Sequence, residues 1–326
     1  MLVIRPRRNR RSDAIRRLVE ECSLRPADLV APFFVLEGEG KRVKIPSFPG
    51  VDQLSLDLVL KEAERLHSKG IPSIALFPVI EPSMKDAQGS QALNPNGIIP
   101  RALEALKKEI PSLCLITDVA LDPYTSHGHD GVVNESGYVL NDATVKILVE
   151  SACIAAAAGA DFVAPSDMMD GRVGAIRIAL DAAGLEEVGI ISYTAKYASS
   201  LYAPFRDTLG SKLKFGDKKT YQMNPANSRE AVRQAILDIE QGADMVMVKP
   251  ALFYLDVIAQ LRAKVHVPIC AYHVSGEYSM VMAAHAAGWL DASKVFYEGL
   301  LSIKRAGADF IFTYAVDQVL PQIQSL

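Results

Sequence analysis

The stretch Gln241-Gly242-Ala243-Asp244-Met245-Val246-Met247-Val248-Lys249-Pro250 carries the reading of the fold. A helix-like segment ends at a glycine, and an apolar, β-branched run follows at once. Glycine accepts the left-handed conformation that closes a helix. A short run without polar alternation reads as a strand buried on both faces, as in a parallel sheet. The same punctuation recurs. Ala158-Gly159-Ala160-Asp161 precedes FVAPS, Ala306-Gly307-Ala308-Asp309 precedes FIFTYA, and Lys69-Gly70 precedes IPSIALFPV.

Working outward, strands are predicted near 28–35, 71–79, 112–121, 161–166, 189–194, 244–249, 267–274 and 309–315. Helices are predicted over 54–69, 98–109, 141–158, 172–183, 228–241, 253–264, 277–287 and 292–306, with a last one at the C-terminal end. Eight strands alternating with helices predict an α/β fold, a (β/α)8 TIM barrel. A doubly wound open sheet is the rival, but no glycine-rich phosphate loop follows the first strand. Two connections, 122–140 and 198–227, are far longer than the rest. Both follow strands, so both belong to the C-terminal face, where barrel active sites form, and loops of that length act as lids or binding loops.

The 326 residues are 49% apolar and 22% charged, which excludes a disordered chain, a coiled coil and a collagen. No stretch is apolar enough for a membrane span, and MLVIRPRRNRR is unlike a secretory signal. Cys22, Cys114, Cys153 and Cys270 are too far apart for a disulfide framework or a CxxC metal site, which points to the cytoplasm. The net charge of −3 hides an asymmetry: residues 1–17 hold seven arginines against Asp13 alone, so an arm near +6 precedes a body near −9. Ile15, Leu18, Val19 and Cys22 follow helical spacing, so an amphipathic helix is expected at the end of this arm. We divide the chain into a basic arm, 1–22, and one barrel domain, 23–326. The arm contains no aromatic residue to stack on bases, which favours docking on another subunit over nucleic acid or a solvated tail.

Two lysines stand out by position. Lys249 closes one strand and Lys196 lies just past the strand before it. A lysine in apolar surroundings beside another cation loses proton affinity, and the neutral amine attacks ketones to form a Schiff base. Asp118, Asp122 and Asp130 gather with His127 and His129 on the third strand and its loop, where they could bind a metal, shuttle protons, or simply cap turns beside exposed histidines.

The segment GADMVMVKPALFY (242–254) resembles the active-site signature of the porphobilinogen synthase, or δ-aminolevulinic acid dehydratase, family. DPYTSHGHDG (122–131), APSDMMDGRV (164–173), SYTAKYAS (192–199), YAPFRD (202–207), YQMNPAN (221–227) and VSGEYSM (274–280) resemble family motifs in the family's order, across nearly the whole chain. The resemblance implies condensation of two 5-aminolevulinate molecules to porphobilinogen with loss of two waters, in tetrapyrrole (heme, chlorophyll, cobalamin) biosynthesis. Lys249 would form the Schiff base with the first substrate and Lys196 with the second. Arg206 and Lys218, helped by Gln222, would hold the second carboxylate; Ser275 and Tyr314 would hold the first. Phe205 would be an apolar wall, and Asp118 with Ser166 would lie near the second amino group.

Zinc-dependent relatives carry cysteines where this chain has Ala120, Asp122 and Asp130, so catalytic zinc is not expected. Hard carboxylates favour magnesium, so Asp122 and Asp130 are candidate ligands. Magnesium-stimulated relatives carry a glutamate at the position of Gln234, and an amide is a poorer anchor. Magnesium is expected, active-site or regulatory, ahead of a metal-independent enzyme; no organic cofactor is expected. The resemblance also implies a homo-octamer, or a hexamer, built through the arm. The rivals are another Schiff-base barrel of the class I aldolase type, which lacks a phosphate clamp here, and a nucleic-acid binder, which leaves the paired lysines unexplained.

Overall fold

The structure is a computed structural model that describes residues 2–324. Its strands are β1 (Leu29–Leu36), β2 (Arg42–Lys44), β3 (Asp52–Ser55), β4 (Ser73–Pro78), β5 (Cys114–Val119), β6 (Phe162–Pro165), β7 (Gly189–Lys196), β8 (Met245–Lys249), β9 (Ile269–His273) and β10 (Phe310–Thr313). β1 and β4 through β10 pair in parallel, each with the next, and β10 pairs back to β1. This is a closed eight-stranded parallel barrel, and the surrounding helices make it a (β/α)8 TIM barrel, as the punctuation predicts.

The helices are α1 (Asp13–Leu18), α2 (Leu56–Ser68), α3 (Ile98–Glu109), α4 (Asn141–Ala157), α5 (Arg172–Ala182), α6 (Ala203–Leu209), α7 (Arg229–Glu240), α8 (Leu255–Arg262), α9 (Ser275–Ala286), α10 (Ala292–Ala306) and α11 (Val316–Gln324). None is long and apolar enough to cross a membrane.

The repeated aspartates have a structural reason. Asp161, Asp244 and Asp309 stand just before β6, β8 and β10. Each carboxylate accepts the backbone N–H of the neighbouring strand's residue (Leu115, Ile190 and Ile269) at 2.7 Å. They tie the lower rim of the barrel together. The glycine before each has φ of +107°, +100° or +120°, so a side chain there would be strained.

Three features depart from the sequence reading. A hairpin of β2 and β3 follows β1, and β3 pairs with the upper half of β1, Phe34 to Leu36. β10 pairs only with the lower part, at Leu29 and Val30. The upper edge of β1 therefore belongs to the hairpin, which alternation alone does not announce in so short a run. Secondly, the 198–227 connection contains its own helix, α6. Thirdly, the arm helix α1 stops at Leu18, four residues short of Cys22. Leu18 is 84% exposed and Ile15 half-buried, so the apolar stripe that would extend the helix has nothing to pack against within the chain.

Candidate active site

β7 and β8 lie in register at their ends, with Lys196 opposite Lys249. The pairing runs Ser192 to Val246 and then Ala195 to Val248, so β7 has gained one residue through a bulge. Without the bulge Ala195 would face Lys249. The extra residue carries the strand two positions beyond its predicted end and brings two ammonium-bearing side chains to one edge of the barrel mouth. Bulges are common beside active sites because they re-aim side chains in this way.

Lys249 is 5% exposed. Its Nζ lies 4.3 Å from the ring centroid of Tyr272, 4.9 Å from Phe205, 5.0 Å from Tyr193 and 5.5 Å from Tyr202. Burial pushes its pKa down, the charge of Lys196 adds to that, and Asp118, Asp122 and Asp130 oppose it; the result is about 7. A large share of Lys249 is then neutral amine near pH 7.

Lys196 is bound differently. Its Nζ donates to the carbonyl of Ser166, which follows β6, and lies 3.5 Å from Asp130 Oδ1. Asp130 also meets Lys218 Nζ at 3.0 Å, and Lys218 lies 3.6 Å from Asp122. Burial opposes the charge on Asp130, yet Lys196 and Lys218 hold its carboxyl well below the usual range. Asp122 is pushed up, first by burial and then by neighbouring Asp130, against the pull of Lys218. Asp118, on β5, opens onto the same cavity. Burial raises its pKa to about 6 against both lysines, which suits a group that gives and takes protons near neutrality.

Of the residues singled out in the sequence, Asp118, Asp122, Asp130, Ser166, Lys196, Phe205, Arg206, Lys218, Gln222 and Lys249 line one cavity at the barrel mouth. No carboxylate pairs with Arg206 among the described residues, and its guanidinium lies over the Tyr202 ring. The buried Oε1 of Gln222 and Oδ1 of Asp118 lack hydrogen-bond partners among those residues. Ser275 and Tyr314 fall outside this lining. Ser275 Oγ accepts from the Phe205 N–H at 3.1 Å and donates to Leu201 O at 3.2 Å, and Tyr314 shares a 2.8 Å hydrogen bond with Tyr272. Gln234 is elsewhere, on α7 beside a separate cavity, with its amide donating to Asp238. His127 and His129 are both buried rather than exposed. The sequence reading missed Tyr193, Tyr202 and Tyr272. Tyr193 and Tyr202 stand within the SYTAKYAS and YAPFRD motifs; Tyr272 has no local signal beyond a place on a strand that ends at the mouth.

Asp122 and Asp130 do not fit a metal as they stand. The ammonium of Lys218 occupies the position between them that a cation would take. Among the described residues no three His, Cys, Asp or Glu side chains group to hold an ion.

Comparison with known proteins agrees with this geometry. The family model described as delta-aminolevulinic acid dehydratase matches residues 3–322. The delta-aminolevulinic acid dehydratase of Bradyrhizobium diazoefficiens is 51% identical over 99% of this chain and 92% of its own length. That of Chlamydia pneumoniae is 53% identical, over 97% of this chain and 95% of its own. The solved structure of the Toxoplasma gondii enzyme, in complex with its product porphobilinogen, superposes with a TM-score of 0.97 at 49% identity, covering all of this chain and 93% of that one. The chain belongs to the delta-aminolevulinic acid dehydratase, or porphobilinogen synthase, family of enzymes.

Proposed function

We propose that the chain condenses two molecules of 5-aminolevulinate into porphobilinogen, releasing two waters, and that Lys249 and Lys196 each hold one substrate as an imine. The observation that carries this reading is the registered lysine pair, with Lys249 in an aromatic cage that brings its pKa to about 7. The neutral amine attacks the ketone carbon of the first substrate and forms a C–N bond. The carbinolamine hydroxyl takes up a proton and leaves as water, giving the imine. An imine makes its carbon electrophilic and acidifies the neighbouring C–H, which Asp118 is suited to receive. Lys196 engages the second ketone in the same way. Holding both substrates in one cleft replaces a bimolecular encounter by an effectively unimolecular condensation. Arg206, Lys218 and Gln222 clamp the second carboxylate. Ser275 and Tyr314 hold the first, which requires the Ser275 hydroxyl to turn its O–H from the Leu201 carbonyl to the substrate carboxylate.

Borohydride reduction in the presence of 5-aminolevulinate is expected to fix a substrate-derived mass on Lys249, and in its absence a pyrrole product is formed that a colour assay detects. Unmodified Lys249 together with pyrrole formation by Lys249→Ala would remove the mechanism.

The assignment extends to the surroundings. Residues 1–22 act as an arm and 23–326 as the catalytic domain. The arm's arginines and its exposed Leu2, Val3 and Ile4 support docking on a neighbouring copy in an octamer or hexamer. Removing residues 1–20 is expected to leave smaller, dimer-sized species by light scattering. The four free cysteines are consistent with work in a reducing cytoplasm, and the condensation itself would serve tetrapyrrole synthesis. Magnesium, in this reading, acts outside the cleft, because Lys218 already supplies the counter-charge there.

A further inference from the structure

His127-Gly128-His129 turns beside the cleft on the loop after β5, and residues 211–221 of the connection after β7 run across that turn. Neither imidazole lines the lysine cavity. Their ring nitrogens are all committed. His129 Nε2 lies 3.1 Å from Phe215 O and His127 Nε2 lies 3.1 Å from Ala87 O. A carbonyl only accepts, so Nε2 is the protonated nitrogen of each ring. The two Nδ1 atoms then accept: His127 from the His129 N–H at 3.1 Å, and His129 from the Tyr221 hydroxyl at 3.2 Å. The Asp130 N–H reaches the Tyr221 oxygen at 3.4 Å, so one directed chain runs from Asp130 through Tyr221 and His129 to Phe215. The Asp130 carboxylate stands beside the same hydroxyl.

Packing makes the same connection. Gly128 has φ +81°, and a Cβ on it would fall 2.7 Å from Ser211 O and 2.8 Å from Lys212 O. The Phe215 ring lies 5.2 Å from the His129 ring and 5.9 Å from that of His127, centroid to centroid. The Lys214 N–H donates to His127 O at 3.2 Å.

We propose that His127, Gly128, His129 and Tyr221 form a clasp that holds this lid in place, and that they are positioning residues for the second substrate. The lid carries Arg206, Lys218 and Gln222. The clasp adjoins both members of the Lys218–Asp130 ion pair, since Asp130 follows His129 and Gln222 and Lys218 flank Tyr221 within three positions. Fixing the clasp therefore fixes the distance across the cleft at which the second carboxylate is caught. This inference rests on the porphobilinogen synthase reading for its substrate, but not for the lid's attachment.

The test uses the full-length enzyme with His129→Ala, which removes two hydrogen bonds, and Tyr221→Phe, which removes the hydroxyl and keeps the ring. His129→Ala is expected to raise KM for 5-aminolevulinate roughly tenfold and Tyr221→Phe about fivefold, with kcat changed less than about threefold. Borohydride trapping at Lys249 stays at the unaltered chain's level in both, because the first imine does not use the lid's cations. Hydrogen exchange across 211–221 quickens in both variants. Unchanged exchange overturns the clasp whatever the reaction is, and so does a fall of kcat and Lys249 trapping together without a rise in KM. Faster exchange in variants of a chain that never traps at Lys249 upholds the clasp and removes the reaction assignment instead.

Discussion

Lys249 and Lys196 end neighbouring strands, in register, and yet stand in opposite surroundings. Around Lys249 the cleft is aromatic, with four rings within 5.5 Å of its Nζ. Around Lys196 it is ionic, with Asp130, Lys218 and Asp122 linked in a buried chain of charges. One residue type is thereby prepared for two tasks. In the proposed reaction desolvation readies the Lys249 amine for attack, whereas Lys196 starts tied to a carboxylate and a carbonyl. In the proposed reaction the second substrate's carboxylate enters that ionic side, where Arg206 is the cation without a carboxylate partner among the described residues.

The comparison breaks most readily at Lys249. Lys249→Ala is expected to lower kcat by roughly four orders of magnitude or more, as loss of a covalent nucleophile does; a loss under tenfold in a pyrrole assay would show the aromatic half to be inessential. Asp130→Asn attacks the ionic half by leaving Lys196 and Lys218 short of a counter-charge. A cost of roughly 3–5 kcal/mol is expected in denaturant unfolding at neutral pH. The folded pKa of Asp130 is depressed, so its contribution is present above the unfolded carboxylate pKa and is lost as pH falls through the folded one. The stability gap between the two proteins should therefore narrow in acid, and a gap that is constant with pH contradicts the ion-pair account.

The coupling between the halves gives a smaller effect. The neutral amine is the attacking form, so trapping at Lys249 should rise with pH through a limb near 7. Lys196 helps to lower that pKa, second to burial. Lys196→Met is then expected to move the limb to higher pH, and Asp118→Asn, which removes an attraction, to lower pH. Borohydride trapping as a function of pH reads both, and an unmoved limb would mean that the lysines do not sense each other. The smallest effect is expected from metal removal. Dialysis against EDTA should leave Lys249 trapping unchanged, because Lys218 fills the acidic pair; lost trapping that magnesium restores would return an ion to the cleft.

Much of this was legible in the residues. The glycine-closed helices and unbroken apolar strands specify a parallel sheet with crossover helices, and a lysine at the end of such a strand stands at the catalytic face whatever the loops do. The hairpin after β1 was not legible, because a three-residue exposed strand has too little alternation to read. The acidic cluster looked like a metal site for a physical reason: sequence lists the carboxylates but not the ammonium, nearly ninety positions on from Asp130, that comes to lie between them. Of the readings open for His127 and His129, the exposed one fails because a segment remote in sequence covers them.

The sequence by itself determined the barrel, the order of its strands and the two strands whose ends carry the amines, since these follow from local backbone preference and from periodicity over a few residues. Only the tertiary structure decided the surroundings of each lysine, aromatic for Lys249 and ionic for Lys196. The bulge that aligns Lys196 with Lys249, the rings that desolvate one, the carboxylate that holds the other and the contacts of His127 and His129 with residues 211–221 all join residues tens of positions apart. Electrostatic and packing energies depend on distance in space, and the closed barrel is what sets those distances.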